Sequence, residues 1–165
     1  MATNNEAIDD EPVVAVKLDS RDRALLALLS EDATLSYVEL GKAINLSAPA
    51  VHERVKRLRA EGVIKATVAS LDGIKLGRPF LAFVHVDTTS YTVAQQYLTL
   101  QEFNEVEEIH TTTGDSAVLL KVRTRDTRSF ERLLARIHAI DQIIGTRSYI
   151  ALTTYLERGP SPALD

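Results

Sequence analysis

The 165-residue sequence predicts an α+β chain in two parts. Three short helices come first and a βαββαβ module follows. Two helix-capping signatures bracket a four-residue interruption near residue 45, and a glycine stop follows at Gly62. Beyond residue 80 the apolar pattern changes to β-rich runs that alternate with amphipathic stretches. The charge also divides: the chain carries a formal net charge of -4, yet its third helix is basic.

The elements follow in order. Residues 1–17 carry Glu6, Asp9, Asp10 and Glu11 and read as a flexible arm. Asp19 or Ser20 can cap a first helix, with Asp22 in its first turn and Leu25, Leu28 and Leu29 as its buried stripe. Ser36 and Glu39 form an S-x-x-E capping box, so a second helix starts at Tyr37. Val38, Leu40, Ala43 and Ile44 give it an apolar side. Asn45 suits a left-handed helix exit. Ser47 caps a third helix that tolerates Pro49 in its first turn. Val51, Val55 and Leu58 recur at i, i+4 and i+7, which makes one buried stripe. Residues 63–71 read as a strand leading out, and Asp72-Gly73 and Gly77-Arg78-Pro79 as turns. Strands are expected at 80–86, 106–113, 117–124 and 146–156. Helices are expected at 91–100 and at 126–140, the latter burying Phe130, Leu133, Leu134 and Ile137. Gly145 is read as a break before the last strand. The order βαββαβ is the ferredoxin-like pattern.

The expected organisation is therefore an arm over 1–17, a winged-type helix-turn-helix domain over 18–63, a β linker over 64–79, a ferredoxin-like domain over 80–156 and a tail over 157–165. A helix-turn-helix places its second helix in the DNA major groove. Between Ser47 and Lys65 stand five basic residues (Arg54, Lys56, Arg57, Arg59, Lys65) against Glu53 and Glu61. A local excess of three positive charges in an acidic chain points to a polyanion, here double-stranded DNA. With the apolar stripe inward, Ala48, Pro49, Ala50, His52 and Glu53 are the candidates for reading base edges. Ser47, Lys56 and Arg57 are the candidates for phosphates. Arg54 lies beside the apolar stripe, where a salt bridge to an earlier helix competes with a DNA role.

Several classes are excluded. Without cysteine there are no disulfides, thiolate metal sites or thiol chemistry. The four histidines (His52, His85, His110, His138) are dispersed, and neither a Ser/His/Asp constellation nor a phosphate loop occurs. The chain is not expected to be an enzyme, and no cofactor or metal is expected. No apolar run approaches the ~18 residues of a membrane span, and the acidic N-terminus is unlike a signal peptide, so a cytoplasmic protein is expected. The last module's strands do not alternate cleanly: Val118, Leu120 and Val122 face one side and Leu119 the other. A second apolar face implies pairing between chains, a dimer at least.

The segments LDSRDRALLALL, ERVKRLRAEGVIK, TTTGDSAVLLKV and RSYIALTTYLERG, in this order, resemble the Lrp/AsnC (feast/famine) family of bacterial and archaeal transcription regulators. The resemblance covers residues 18–158. It implies DNA binding by the first module and sensing of an amino acid or related metabolite by the second, with homodimers assembling to an octamer. The effector loop of the family carries G-x-x-D. Here Gly114 and Asp115 are present, but Ala117 occupies the acidic position. The resemblance, with the residues flanking this turn, marks His110, Thr112, Gly114, Asp115, Ala117, Tyr149 and Ile150 as effector-site candidates. Ala117 keeps open an alternative: a ligand-independent, nucleoid-type architectural DNA-binding protein of the same fold. Gly114 also has a plain reading, as a turn that needs positive φ.

Overall fold

The computed structural model describes residues 15–89 and 99–162. The chain forms two compact units, residues 1–69 with 158–165, and residues 70–157.

The first unit holds three helices: α1 (Ser20–Glu31), α2 (Tyr37–Ile44) and α3 (Ala48–Ala60). Each start follows from a side-chain cap. Asp19 accepts the Asp22 backbone N–H at 2.7 Å, while Asp22 accepts that of Asp19 at 3.1 Å, so an aspartate takes the usual glutamate role in the box. Ser36 and Glu39 make the reciprocal box on α2. Ser47 caps α3, with Pro49 in the first turn. Asn45 closes α2 at φ 55°, the left-handed exit expected of it. Leu25, Leu40, Val51, Val55 and Leu58 are buried together, and Val63 and Ile64 pack against them.

Gly41 lies inside α2 and is buried. The carbonyl of Gly41 accepts the Leu46 N–H at 2.9 Å. A Cβ at Gly41 would collide with the carbonyl oxygen of Leu46. Close approach at this one position thus permits the tight turn into α3.

The second unit is a four-stranded antiparallel sheet: β1 (Phe80–Thr88), β2 (Val106–Thr111), β3 (Val118–Thr124) and β4 (Ile143–Ile150), in the order β2-β3-β1-β4. Helix α4 (Thr127–His138) joins β3 to β4. Two consecutive strands separated by a crossover, with a third strand between them, make the expected ferredoxin-like sheet. Alternation sends Ala82, Val84 and Val86 of β1 and Val118, Leu120 and Val122 of β3 inward, onto Phe130, Leu133 and Ile137 of α4.

Some expectations change. The strand expected over 63–71 forms no ladder among the described residues. Val63 and Ile64 are drawn into the helical core, and beyond them no strand among the described residues pairs with the segment, so Val68 and Leu71 stand exposed. Val38 and Ala43 face solvent. Leu40 and Gly41 are buried; Val38 lies two residues before the first and Ala43 two after the second, each about 200° around the helix axis. Gly145 does not break the chain. It lies within β4, where the pairing with β1 slips at Asp87/Thr88. β4 ends at Ile150, because Ala151 reaches the Leu81 carbonyl and β1 begins one residue further on. Residues 151–156 therefore leave the sheet, with Leu152 and Tyr155 exposed. The expected helix over 91–100 and the arm up to residue 14 lie outside the described residues, apart from a helical turn at 99–101.

Two outcomes follow from these local structures. Gly41→Val should lower the stability of the first unit by about 1–3 kcal/mol, the usual cost of forcing atoms into a filled space. Urea unfolding followed by circular dichroism measures it. Asp126, the N-cap of α4, accepts the Ser129 backbone N–H at 2.7 Å. The Ser129 hydroxyl first, then its amide, with Arg125 adding, hold the carboxyl down at about 2. A depressed carboxylate stabilises the fold above its unfolded pKa, and that contribution is lost as pH falls through its folded value. Acid titration by circular dichroism should therefore show the contribution disappearing between about pH 4 and 2, and Asp126→Asn should remove that part of the pH dependence.

Candidate nucleic-acid interface and ligand loop

The orientation of α3 is set by one buried carboxylate. Asp22 is 1% exposed. Its Oδ1 accepts Nη1 of Arg54 and its Oδ2 accepts Nη2 of Arg57, both at 2.7 Å. Arg54 Nη1 also donates to Asp19 at 2.7 Å, and Arg57 Nη1 to Glu61 at 2.8 Å. Burial alone would raise the Asp22 pKa. The Asp19 amide, Arg57 and Arg54 outweigh it and hold the group below its ordinary value. The network ties the start of α1 to the middle of α3.

This arrangement divides the basic residues of α3. Arg54 serves the fold through its salt bridges to α1. Arg57, expected at a phosphate, has both Nη atoms engaged within the unit. Lys56 is exposed and makes no ion pair among the described residues. At the N-terminal end Ser47, Pro49, His52 and Glu53 are exposed, and Ala48 and Ala50 are half-buried. His52 stacks edge-on against Tyr37 at 5.4 Å and meets Glu53 at 3.2 Å. Val51, Val55 and Leu58 hold the opposite side of the helix in the core. The free face is therefore small and polar at its start and cationic at Lys56.

In the second unit the candidate ligand residues do not all meet. The β2–β3 connection folds back on itself: the Thr112 hydroxyl donates to the Ser116 carbonyl at 2.8 Å, and the Thr112 N–H to that of Ala117 at 3.0 Å. Gly114 adopts φ +118°, the positive value that its plain reading requires. Asp115 is exposed, whereas Ala117 packs into the sheet core. The side chain at position 117 thus contributes apolar packing and offers no polar contact. Arg147 of β4, absent from the sequence candidates, comes to this loop. Its Nη2 donates to the Ser116 hydroxyl at 2.6 Å, and it lies 4.0 Å from Asp115 and 3.7 Å from Asp87.

His110 lies away from the turn itself. It pairs across the sheet with Leu119 and bonds Glu108 at 3.0 Å. Tyr149 is opposite Phe83, two residues along β4 from Arg147, and stacks on His85. Ile150 follows it at the strand end. The structure thus gathers Thr112, Gly114 and Asp115 with Ser116 and Arg147, and leaves His110, Tyr149 and Ile150 elsewhere on the sheet. Strand pairing alone exposes Arg147 as a partner, and only the register of β4 on β1 reveals it.

A capped helix pair presenting an exposed basic helix, joined to a sheet module with a polar loop, defines a DNA-binding regulator with a separate sensing module. Comparison with known proteins agrees. Residues 18–59 match the AsnC-type helix-turn-helix domain, and residues 81–161 match the Lrp/AsnC ligand binding domain. The chain is 31% identical to the HTH-type transcriptional regulator FL11 of Pyrococcus horikoshii, over 89% of this chain and 97% of that protein. Its fold matches E. coli AsnC with a TM-score of 0.83 at 27% identity, covering 89% of this chain and 100% of that one. It matches the feast or famine regulatory protein of M. tuberculosis complexed with L-methionine with a TM-score of 0.80 at 31% identity, covering 86% and 96%. The chain belongs to the Lrp/AsnC family. It is a transcription regulator and not an enzyme.

Asp22→Ala should destabilise the first unit by about 2–3 kcal/mol, the range for losing hydrogen bonds to charged groups at a buried site. Replacing Arg59, which makes only a long 3.4 Å bond to Thr67, should change stability by less than about 0.5 kcal/mol. Chemical denaturation of the two variants side by side distinguishes them, and equal effects would show that the Asp22 network does not orient α3.

Proposed function

We propose that this regulator reads duplex DNA sequence-specifically through the N-terminal half of α3. The observation that carries the reading is the exposed start of that helix, held outward by a fully buried Val51, Val55 and Leu58 on its other side. Ala48, Pro49 and Ala50 can offer only apolar surface, suited to thymine methyl groups. His52 and Glu53 bring polar edges. Ser47 at the helix start and Lys56, about two and a half turns further on, meet phosphates. Arg57 meets a phosphate only by sharing its guanidinium with Asp22.

The second part of the proposal is a small-molecule effector, an amino acid or a related metabolite, bound at the β2–β3 loop. Asp115 and Arg147 offer opposite charges 4.0 Å apart, suited to an ammonium and a carboxylate. Thr112 and Gly114 shape the turn on which Asp115 stands. The L-methionine complex of the M. tuberculosis relative supports this reading. Because Ala117 is turned into the core, Asp115 takes over the acidic role.

The chain acts as a homodimer or a larger assembly up to an octamer. Exposed Val68, Leu71, Ile74 and Leu76 form an apolar segment without a strand partner among the described residues. On the sheet face opposite α4, Phe83 and Tyr149 are also exposed. A second copy supplies the missing cover in both places. As a regulator of transcription it works where the chromosome is, in the cytoplasm.

Fluorescence anisotropy with an operator duplex across a salt series tests the DNA reading. Removing one phosphate contact lowers the salt slope by about 0.9, so Lys56→Ala should flatten it by that amount while Lys42→Ala, on α2, leaves it unchanged. An identical slope for both variants would remove α3 from the interface. For the effector, thermal shifts with the twenty amino acids should reveal a binder whose effect Asp115→Asn abolishes. A binder insensitive to that change places the site elsewhere.

A further inference from the structure

An arginine-lined recess lies in the second unit, away from the β2–β3 loop. Its volume is about 540 Å³, and Arg78, Arg123, Arg125, Arg132 and Arg136 line it together with Glu102 and Glu105. Five guanidiniums and two carboxylates line it, and Glu107 and Glu157 pair with Arg123 while Asp126 pairs with Arg125. Guanidinium stays protonated at every accessible pH, so the charge of those without such a partner is permanent.

The arginines converge from three directions. Arg78 follows the turn at 73–77, fixed by the Arg78 N–H donating to the Gly73 carbonyl at 2.8 Å. Arg123 and Arg125 flank the end of β3. Arg132 and Arg136 project from α4, one turn apart on the same face as Ser129. Three members are already held in place. Arg136 bonds Glu105 at 2.8 Å and stacks over the Phe103 ring at 4.1 Å, Arg123 bonds Glu107 at 2.6 Å, and Arg125 bonds Asp126 at 3.1 Å. Arg78 and Arg132 differ. Each is exposed and bonds only a neutral acceptor, the Asn104 carbonyl and the Ser129 hydroxyl, both at 3.0 Å. Neither has a carboxylate partner among the described residues. Each guanidinium carries five N–H donors, so most of theirs are unused.

We propose that this recess binds a phosphate-bearing small anion of nucleotide size, at a site separate from the amino-acid loop. Two guanidiniums without a counter-charge, Arg78 and Arg132, suit a multiply charged oxyanion, whose oxygens accept paired guanidinium donors. They disfavour a free amino acid, whose ammonium would be repelled. The volume falls in the range of small-ligand sites. A concave recess also suits a small anion better than a duplex, whose phosphates line a convex rod.

Isothermal titration calorimetry on the full chain tests this with inorganic phosphate, pyrophosphate, ATP and L-methionine. Pyrophosphate or ATP should bind, and the single variants Arg78→Gln and Arg132→Gln should each weaken that binding about tenfold, close to 1.4 kcal/mol. Circular dichroism confirms that both variants fold. Their response to amino acids should be unchanged, since neither residue is at the β2–β3 loop. If no phosphate compound binds, or if both variants bind ATP like the parent, the assignment is wrong. Loss of duplex affinity in the variants without any ATP binding also overturns it and makes the recess an accessory DNA contact.

Discussion

One buried carboxylate governs the DNA-binding unit. Asp22 accepts the amide of the N-cap residue Asp19 and at the same time neutralises two arginines of α3, and it can do so only because all three groups meet at the start of α1. Breaking such a group's bonds leaves charge without its counter-charge in a dry place, which costs more than the bonds themselves contribute. The consequence reaches function through geometry. With Arg54 and Arg57 drawn toward α1, the stripe of Val51, Val55 and Leu58 has one way to face, and the opposite side of α3 is left to solvent. The charge that gives the segment its basic appearance is thus partly consumed by the fold. Lys56, exposed at mid-helix, makes no ion pair among the described residues.

The same division between structural and available groups recurs in the second unit. Lys121 is one of the most charged positions of β3, yet Glu107, Glu108 and Glu157 surround it. Desolvation alone would lower its pKa, but Glu157 and Glu108 together raise it. Arg136 is tied to Glu105 and Phe103. Arg147, Arg78 and Arg132 keep unused donors, and it is on these that the two ligand proposals rest.

Much of this was legible in the sequence, for identifiable reasons. Capping boxes, an αL-tolerant Asn45 and a seven-residue apolar repeat act over a few residues, so α1, α2 and α3 could be bounded almost to the residue. The ferredoxin-like order was readable because β-branched runs alternate with amphipathic ones. What could not be read depends on partners distant in the chain. Gly41 looks like an ordinary helix glycine until the Leu46 carbonyl is seen over it. Asp22 reads as a first-turn acid, and nothing local announces that residues 32 and 35 positions later will converge on it. Val68 and Leu71 have strand-like composition, but composition supplies no neighbouring strand. Arg147 reaches Ser116 through the register of β4 on β1, where it lies opposite His85. Ala117 was readable as a departure from G-x-x-D, though not as a residue facing the core.

The most direct measurement of the account is amide hydrogen exchange of the full chain with and without an operator duplex. The first-turn amides of α3 have no helical partners, and the Ala50 N–H reaches Ser47 only at 3.4 Å, so residues 48–50 should exchange quickly in the free protein. A duplex seated on this end should protect residues 48–53 selectively. Protection spread over α1 or the sheet, with 48–53 still exchanging at the free rate, would contradict the placement of DNA on α3.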